Sequence, residues 1–96
     1  MGIKAAPGQP FEVAVEQYGG SGYLWQVETV PPAIRALDDE TAPPAQGDPP
    51  GAPQRRVFRF AADQAGDFEV VLALKRPWEG EPIERRTIRV RVDPPA

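Results

Sequence analysis

Neither cysteine nor histidine occurs among the 96 residues. Without cysteine there is no disulfide, no thiolate nucleophile and no zinc–thiolate site, and the redox compartment is left open. Without histidine there is no Ser-His or Cys-His pair, no imidazole metal ligand and no proton shuttle working near neutral pH. Long apolar runs are missing too, so no segment has the length of a membrane span, and the opening "MGIKAAPGQP" lacks the apolar core of a signal peptide. The expected location is periplasmic or secreted if a leader peptide has been removed, and cytoplasmic otherwise. Basic charge is not in excess: eleven Lys and Arg against fourteen Asp and Glu give a formal net charge of -3. Because Lys and Arg drive binding to phosphates, neither nucleic acid nor an anionic membrane is an expected partner.

Proline (13) and glycine (9) are plentiful, alongside 41% hydrophobic residues. That mix favours turns and strands over helix while still supplying a core. The length suits a single domain spanning 1–96 and leaves little room for a large buried active site. Period-two alternation marks five strands. Phe11, Val13 and Val15 share one face of "FEVAVEQ"; Tyr23, Trp25 and Val27 share one face of "YLWQVETV"; Phe58 and Phe60 are in phase in "RRVFRFAA". The same holds for Phe68, Val70, Leu72 and Leu74 in "DFEVVLALK", and for Ile88, Val90 and Val92 in "RRTIRVRV". A sixth strand is expected around Ala33 to Leu37, held to an edge or a bend by Pro31 and Pro32. With no helical crossover pattern, short strands punctuated by turns predict an antiparallel β-sandwich.

Residues 38–54, "DDETAPPAQGDPPGAPQ", carry no apolar periodicity and read as a long Pro-rich surface loop. Asp38, Asp39 and Glu40 lack the spaced oxygen ligands of a calcium loop. On the "RRTIRVRV" strand, Arg85, Arg89 and Arg91 share a face with Thr87, and Glu12, Glu16 and Glu69 are the expected cross-strand partners of a solvated, ion-paired surface. If the strands run up and down, the loop at Gly19 to Gly22, the Pro-rich loop and the turn at Arg76 to Trp78 all emerge at one end, as binding loops do on an immunoglobulin sandwich. In "KRPWEG", Pro77 ends the strand and Trp78 falls after the alternation has stopped, so the indole is either a docking aromatic or a cover folded over the mouth of the sandwich.

"GSGYLW" with Gly22, a glycine at Gly51 and "RPWEG" at 76–80 resemble the three loop motifs of the chagasin-type inhibitors of papain-like cysteine proteases. Those motifs run Asn-Pro-Thr-Thr-Gly-Tyr-x-Trp, Gly-x-Gly-Gly and Arg-Pro-Trp or Arg-Pro-Phe, and the spacing from the second to the third fits residues 51–80 without a gap. The resemblance implies an all-β, immunoglobulin-like sandwich of about seven or eight strands, with three loops clustered at one end as a wedge. It further implies a reversible, competitive inhibitor, not an enzyme, that needs no cofactor or metal, acts as a monomer and has a papain-like cysteine protease as its partner. The implied protease-binding residues are Gly19, Gly20, Ser21, Gly22 and Tyr23, then Gly51, Ala52, Pro53 and Gln54, then Arg76, Pro77 and Trp78. Gly20 and Ser21 would sit nearest the protease cysteine and make β-like hydrogen bonds to the cleft walls, Tyr23 and Trp25 would hold the base of the first loop, and Arg76 would order its turn or pair with an acidic rim.

Two of the three loops depart from the pattern. Tyr18, Gly19, Gly20 and Ser21 replace Asn-Pro-Thr-Thr, while Pro53 and Gln54 replace glycines. Glycine has the most freedom to lose on binding, and proline blocks a close backbone approach, so inhibition weaker than the family's is expected. The alternative is a non-inhibitory immunoglobulin-like module that uses the same loop surface for another partner or for structure.

Overall fold

A computed structural model describes residues 2–42, 47–49 and 51–94. Seven strands form two sheets, with one single-turn 3-10 helix at Gly19–Ser21 as the helical element among the described residues. In chain order the strands are β1 (Gly2–Ala5), β2 (Pro10–Gln17), β3 (Leu24–Thr29), β4 (Ile34–Ala42), β5 (Gln54–Ala62), β6 (Gly66–Lys75) and β7 (Glu84–Val92). The first sheet is ordered β1-β7-β6-β3 and the second β2-β5-β4. The fold is thus the all-β sandwich the alternation pointed to.

Inward positions of both sheets meet in one core. Phe11, Val13 and Val15 of β2 and Phe58 and Phe60 of β5 face Trp25, Val70, Leu72, Ile88, Val90 and Val92 of the other sheet. Phe11 and Phe60 stack with ring centroids 5.7 Å apart. Each such residue contributes on the order of 1.5–3 kcal/mol by leaving water, which is why a period of two over five short strands suffices to specify the sandwich.

Two expectations need correction. Residues 38–42 are not loop; they continue β4, pairing with β5 from Asp38↔Arg59 to Ala42↔Arg55 after a register shift between Ala36 and Asp38. Opposite charge does here what apolar alternation does elsewhere. Arg59 binds Glu12, Asp38 and Glu40, and Arg56 donates to Asp39 at 2.7 Å and to Thr41. The hydrogen bonds that Arg59 donates, to Glu40 first and then to Asp38, raise its pKa above its already high value. Each exposed pair contributes little alone, but a guanidinium shared by three carboxylates ties β2, β5 and β4 together and charges an edge strand against unwanted pairing. Gln54 likewise opens β5 instead of closing the loop, and of the remaining stretch 43–46 and 50 lie outside the described residues.

The second correction concerns the arginine face of β7. Glu12 and Glu16 belong to the other sheet, and Glu12 is bound to Arg59. The partners of β7 are Glu28 for Arg85, at 2.9 Å, and Asp93 for Arg91, at 3.1 Å, while Glu69 does lie opposite Arg89. The structure also adds a strand: β1 pairs in parallel with β7, Gly2↔Arg89 through Ala5↔Val92, in an otherwise antiparallel fold.

Register brings three connections to one pole. Gln17 pairs with Gln54, Ala42 with Arg55, Leu24 with Lys75, and Leu74 with Glu84, so the chain leaves the sandwich at this pole after Gln17, Ala42 and Lys75 and re-enters there at Leu24, Gln54 and Glu84. The short turns at 6–9, 30–33 and 63–65 close the other end.

Candidate functional site

The first of these loops is held from its base. Trp25, 2% exposed, donates its backbone N–H to the side-chain oxygen of buried Gln17 at 3.1 Å and its indole Nε1–H to the Glu16 carbonyl at 2.9 Å. Both bonds join the strands on either side of the loop. The Arg86 guanidinium lies 4.7 Å over the Trp25 ring and is bound to Glu84 at 2.9 Å. Gln17 had no role in the reading of the sequence, although it occupies the inward parity after Phe11, Val13 and Val15. An amide in that position has to find a partner, and a loop backbone beside it is the nearest candidate.

Within the loop Ser21 is the clasp. Its hydroxyl donates to the Tyr18 carbonyl at 2.7 Å and accepts the Tyr23 N–H at 3.1 Å, while its own N–H returns to Tyr18 O at 3.1 Å. The tip is therefore a closed 3-10 turn rather than an extended segment. Gly22 follows with φ of 81°, a left-handed conformation that suits glycine. A Cβ there would sit 3.5 Å from the Trp78 ring and 3.7 Å from Arg76, which is ordinary contact, so the cost of substitution is conformational. Gly22→Ala is expected to destabilise by about 1–2 kcal/mol, whereas Gly20→Ala, with open space around it and no positive φ, should leave the melting temperature nearly unchanged. Thermal unfolding of the two variants side by side checks this.

Arg76 joins the first loop to the third. Its Nε donates to Ser21 O at 3.3 Å, its Nη1 to Glu79 at 3.3 Å, and its guanidinium lies 4.3 Å from the Tyr23 ring centroid and 5.9 Å from that of Trp78. The Glu79 N–H closes the Arg-Pro-Trp turn on Arg76 O at 3.0 Å. A planar, permanently charged fork stacked on an aromatic ring is a use of arginine that lysine does not match. Trp78, at the apex of that turn, is 75% exposed, and Pro77 is exposed beside it. One edge of the indole lies by Gly22, and most of the ring faces solvent.

The second loop approaches from the other side. Tyr18, Pro53, Gln54 and Arg86 line an open cleft of about 650 Å³ together with the end of β2. Gly51 has φ of 83° and open space where a side chain would be, and Ala52 N–H bonds back to Pro49. Among the described residues no hydrogen bond joins Gly51 to Gln54 with Arg76 or Trp78. Loops one and three form one bonded unit, and the second stands next to it.

Chemically the pole is passive. The Ser21 hydroxyl is committed to backbone partners, and among the described residues no group of acidic side chains has metal-holding geometry. What the pole offers is two loops joined through Arg76 and the exposed rings of Tyr18 and Trp78.

Comparison with known proteins bears on the family and the fold. The model of the chagasin family peptidase inhibitor I42 matches residues 4–92. Among solved structures, a cysteine protease inhibitor from Entamoeba histolytica is similar over 96% of this chain and 86% of its own, at 22% identity and a TM-score of 0.77. Amebosin is similar over 96% of this chain and 88% of its own, at 24% identity and a TM-score of 0.70. A search of curated protein sequences finds no match.

Proposed function

The chain belongs to the chagasin family of peptidase inhibitors, a family of inhibitors and not of enzymes, and from that premise we propose that its loop pole plugs the active-site cleft of a papain-like cysteine protease. Inhibition is reversible and competitive, with one inhibitor per enzyme. The observation that carries this reading is Arg76, bonded to Ser21 O and stacked on Tyr23, which makes loops one and three a single preformed wedge. Preorganisation lowers the ordering cost of binding, and it offsets the freedom that Gly19 and Gly20 would otherwise lose.

Gly20 and Ser21 enter nearest the catalytic cysteine. The closed turn explains why they are not cut: a peptide bond bent into a 3-10 turn and clasped by Ser21 does not present its carbonyl in a near-attack geometry. Trp78 lies flat on the cleft's shoulder, where a rigid aromatic gains contact area at small entropic cost. Gly51, Ala52, Pro53 and Gln54 fill the opposite side, with Pro53 keeping the backbone farther from the enzyme than a glycine would.

Titration of papain and several related enzymes with the chain, using a fluorogenic substrate, is expected to show apparent inhibition constants that rise linearly with substrate and activity that returns on dilution. No inhibition of any of them at micromolar concentration overturns the reading and leaves a non-inhibitory module on the same surface.

A further inference from the structure

Exposed apolar side chains are not scattered evenly over this molecule. Of the five large ones among the described residues, Tyr18, Leu24, Trp78 and Ile83 lie at or beside the loop pole, and Leu37 lies at the β4 bulge. Tyr18 and Trp78 stand within the loops, whereas Leu24 opens β3 and Ile83 is the last residue of the third loop before β7.

Leu24 pairs with Lys75 across β3 and β6. On the other side of β6, Ile83 N–H donates to Leu74 O at 2.8 Å, continuing the β6–β7 ladder just past the Leu74↔Glu84 pair. Leu24 precedes buried Trp25, so alternation sets it on the outer face of the four-stranded sheet beside Lys75, and Ile83, one residue before β7, is tied by its hydrogen bond to the end of β6 on the other side of Lys75. They are 37% and 58% exposed. The next row down is already polar around Ala73, with Gln26 and Arg85 beside it and Arg85 bound to Glu28. The apolar strip is therefore one row deep and runs directly under the Arg76–Glu79 turn that carries Trp78.

We propose that the contact with the target protease extends from the third loop onto this ledge, and that Leu24, Lys75 and Ile83 receive an apolar lip of the enzyme that bears a carboxylate; this rests on the inhibitory reading above. Two observations select that occupant. The ledge is continuous with the third loop, so an enzyme seated on Trp78 overhangs it. Lys75 also makes no ion pair among the described residues, whereas the arginine in the row below is paired; an incoming carboxylate between two aliphatic side chains completes the row.

The test uses papain and three proteins: wild type, Trp78→Ala, and Leu24→Ser combined with Ile83→Ser. The double variant is expected to raise the inhibition constant about tenfold with little change in melting temperature, since both side chains are exposed. A second measurement is independent of mutation. The chain has two lysines, and Lys4, paired with Arg91, lies toward the far pole. In the complex, amine-reactive labelling is expected to spare Lys75 and leave Lys4 as reactive as in the free protein. An unchanged inhibition constant for the double variant, or Lys75 labelled equally in the complex, overturns the ledge. If Trp78→Ala still weakens inhibition in that case, the inhibitory reading survives alone. Concentration-dependent self-association that the double variant abolishes, with inhibition intact, assigns the ledge to a second copy and also overturns the proposal. A wild-type chain that inhibits nothing overturns both.

Discussion

Replacing Trp25 by alanine is expected to cost about 3–5 kcal/mol, out of roughly 5–15 kcal/mol for a domain of this size. The side chain is among the largest that are fully buried, and its removal leaves a cavity between the sheets that neighbouring side chains cannot fill. It also strips the Glu16 carbonyl of the indole donor and Arg86 of the ring it lies over. At about 4–8 °C per kcal/mol, the melting temperature should fall by more than about 12 °C. Trp25→Phe separates the two contributions, because it keeps most of the buried area and loses the hydrogen bond, and it should cost about 1–2 kcal/mol. Thermal and urea unfolding of both variants decide the matter; a drop of only a few degrees for alanine would mean that the core closes without the indole.

Trp78→Ala should behave in the opposite way. An indole that is 75% exposed contributes little to folding, so the melting temperature should move by no more than about 2 °C. As a docking aromatic it is worth about 2 kcal/mol, which appears as an inhibition constant raised about 30-fold. Arg76 stays in place in the variant, because its closer ring is Tyr23 and its bonds go to Ser21 and Glu79. The reverse result, a lower melting temperature with unaltered inhibition, would assign the indole to covering Gly22 and not to the enzyme.

The contrast between these two tryptophans was legible in the sequence, since Trp25 sits in phase with an alternating strand and Trp78 falls after a proline that ends one. The parity of the strands likewise foretold that segments 18–23 and 76–83 share a pole. Elements held by anything other than apolar alternation were less visible. β1 has four residues, too few for a period to register. The end of β4 is specified by charge across to Arg56 and Arg59, and nothing local in "DDETA" indicates which arginines will stand opposite. Glu12 meets Arg59 and not the β7 arginines for the same reason: alternation tells the face of a strand but not the sheet it joins. The clasp at Ser21 and the bridge at Arg76 depend on atoms 3 and 55 positions apart, and the second spacing exists only once the sheets are paired.

The parallel pairing of β1 with β7 has a kinetic consequence. Gly2 meets Arg89, so β1, made before the other six described strands, has no partner until the last of them has emerged. In the sheet β7 lies between β6 and β1, and β1 pairs with β7. Refolding should then end in a late step that secures the amino-terminal segment, and a nascent chain arrested before residue 84 would carry the Phe11 strand already matched to β5 while its sister sheet still lacked half its members.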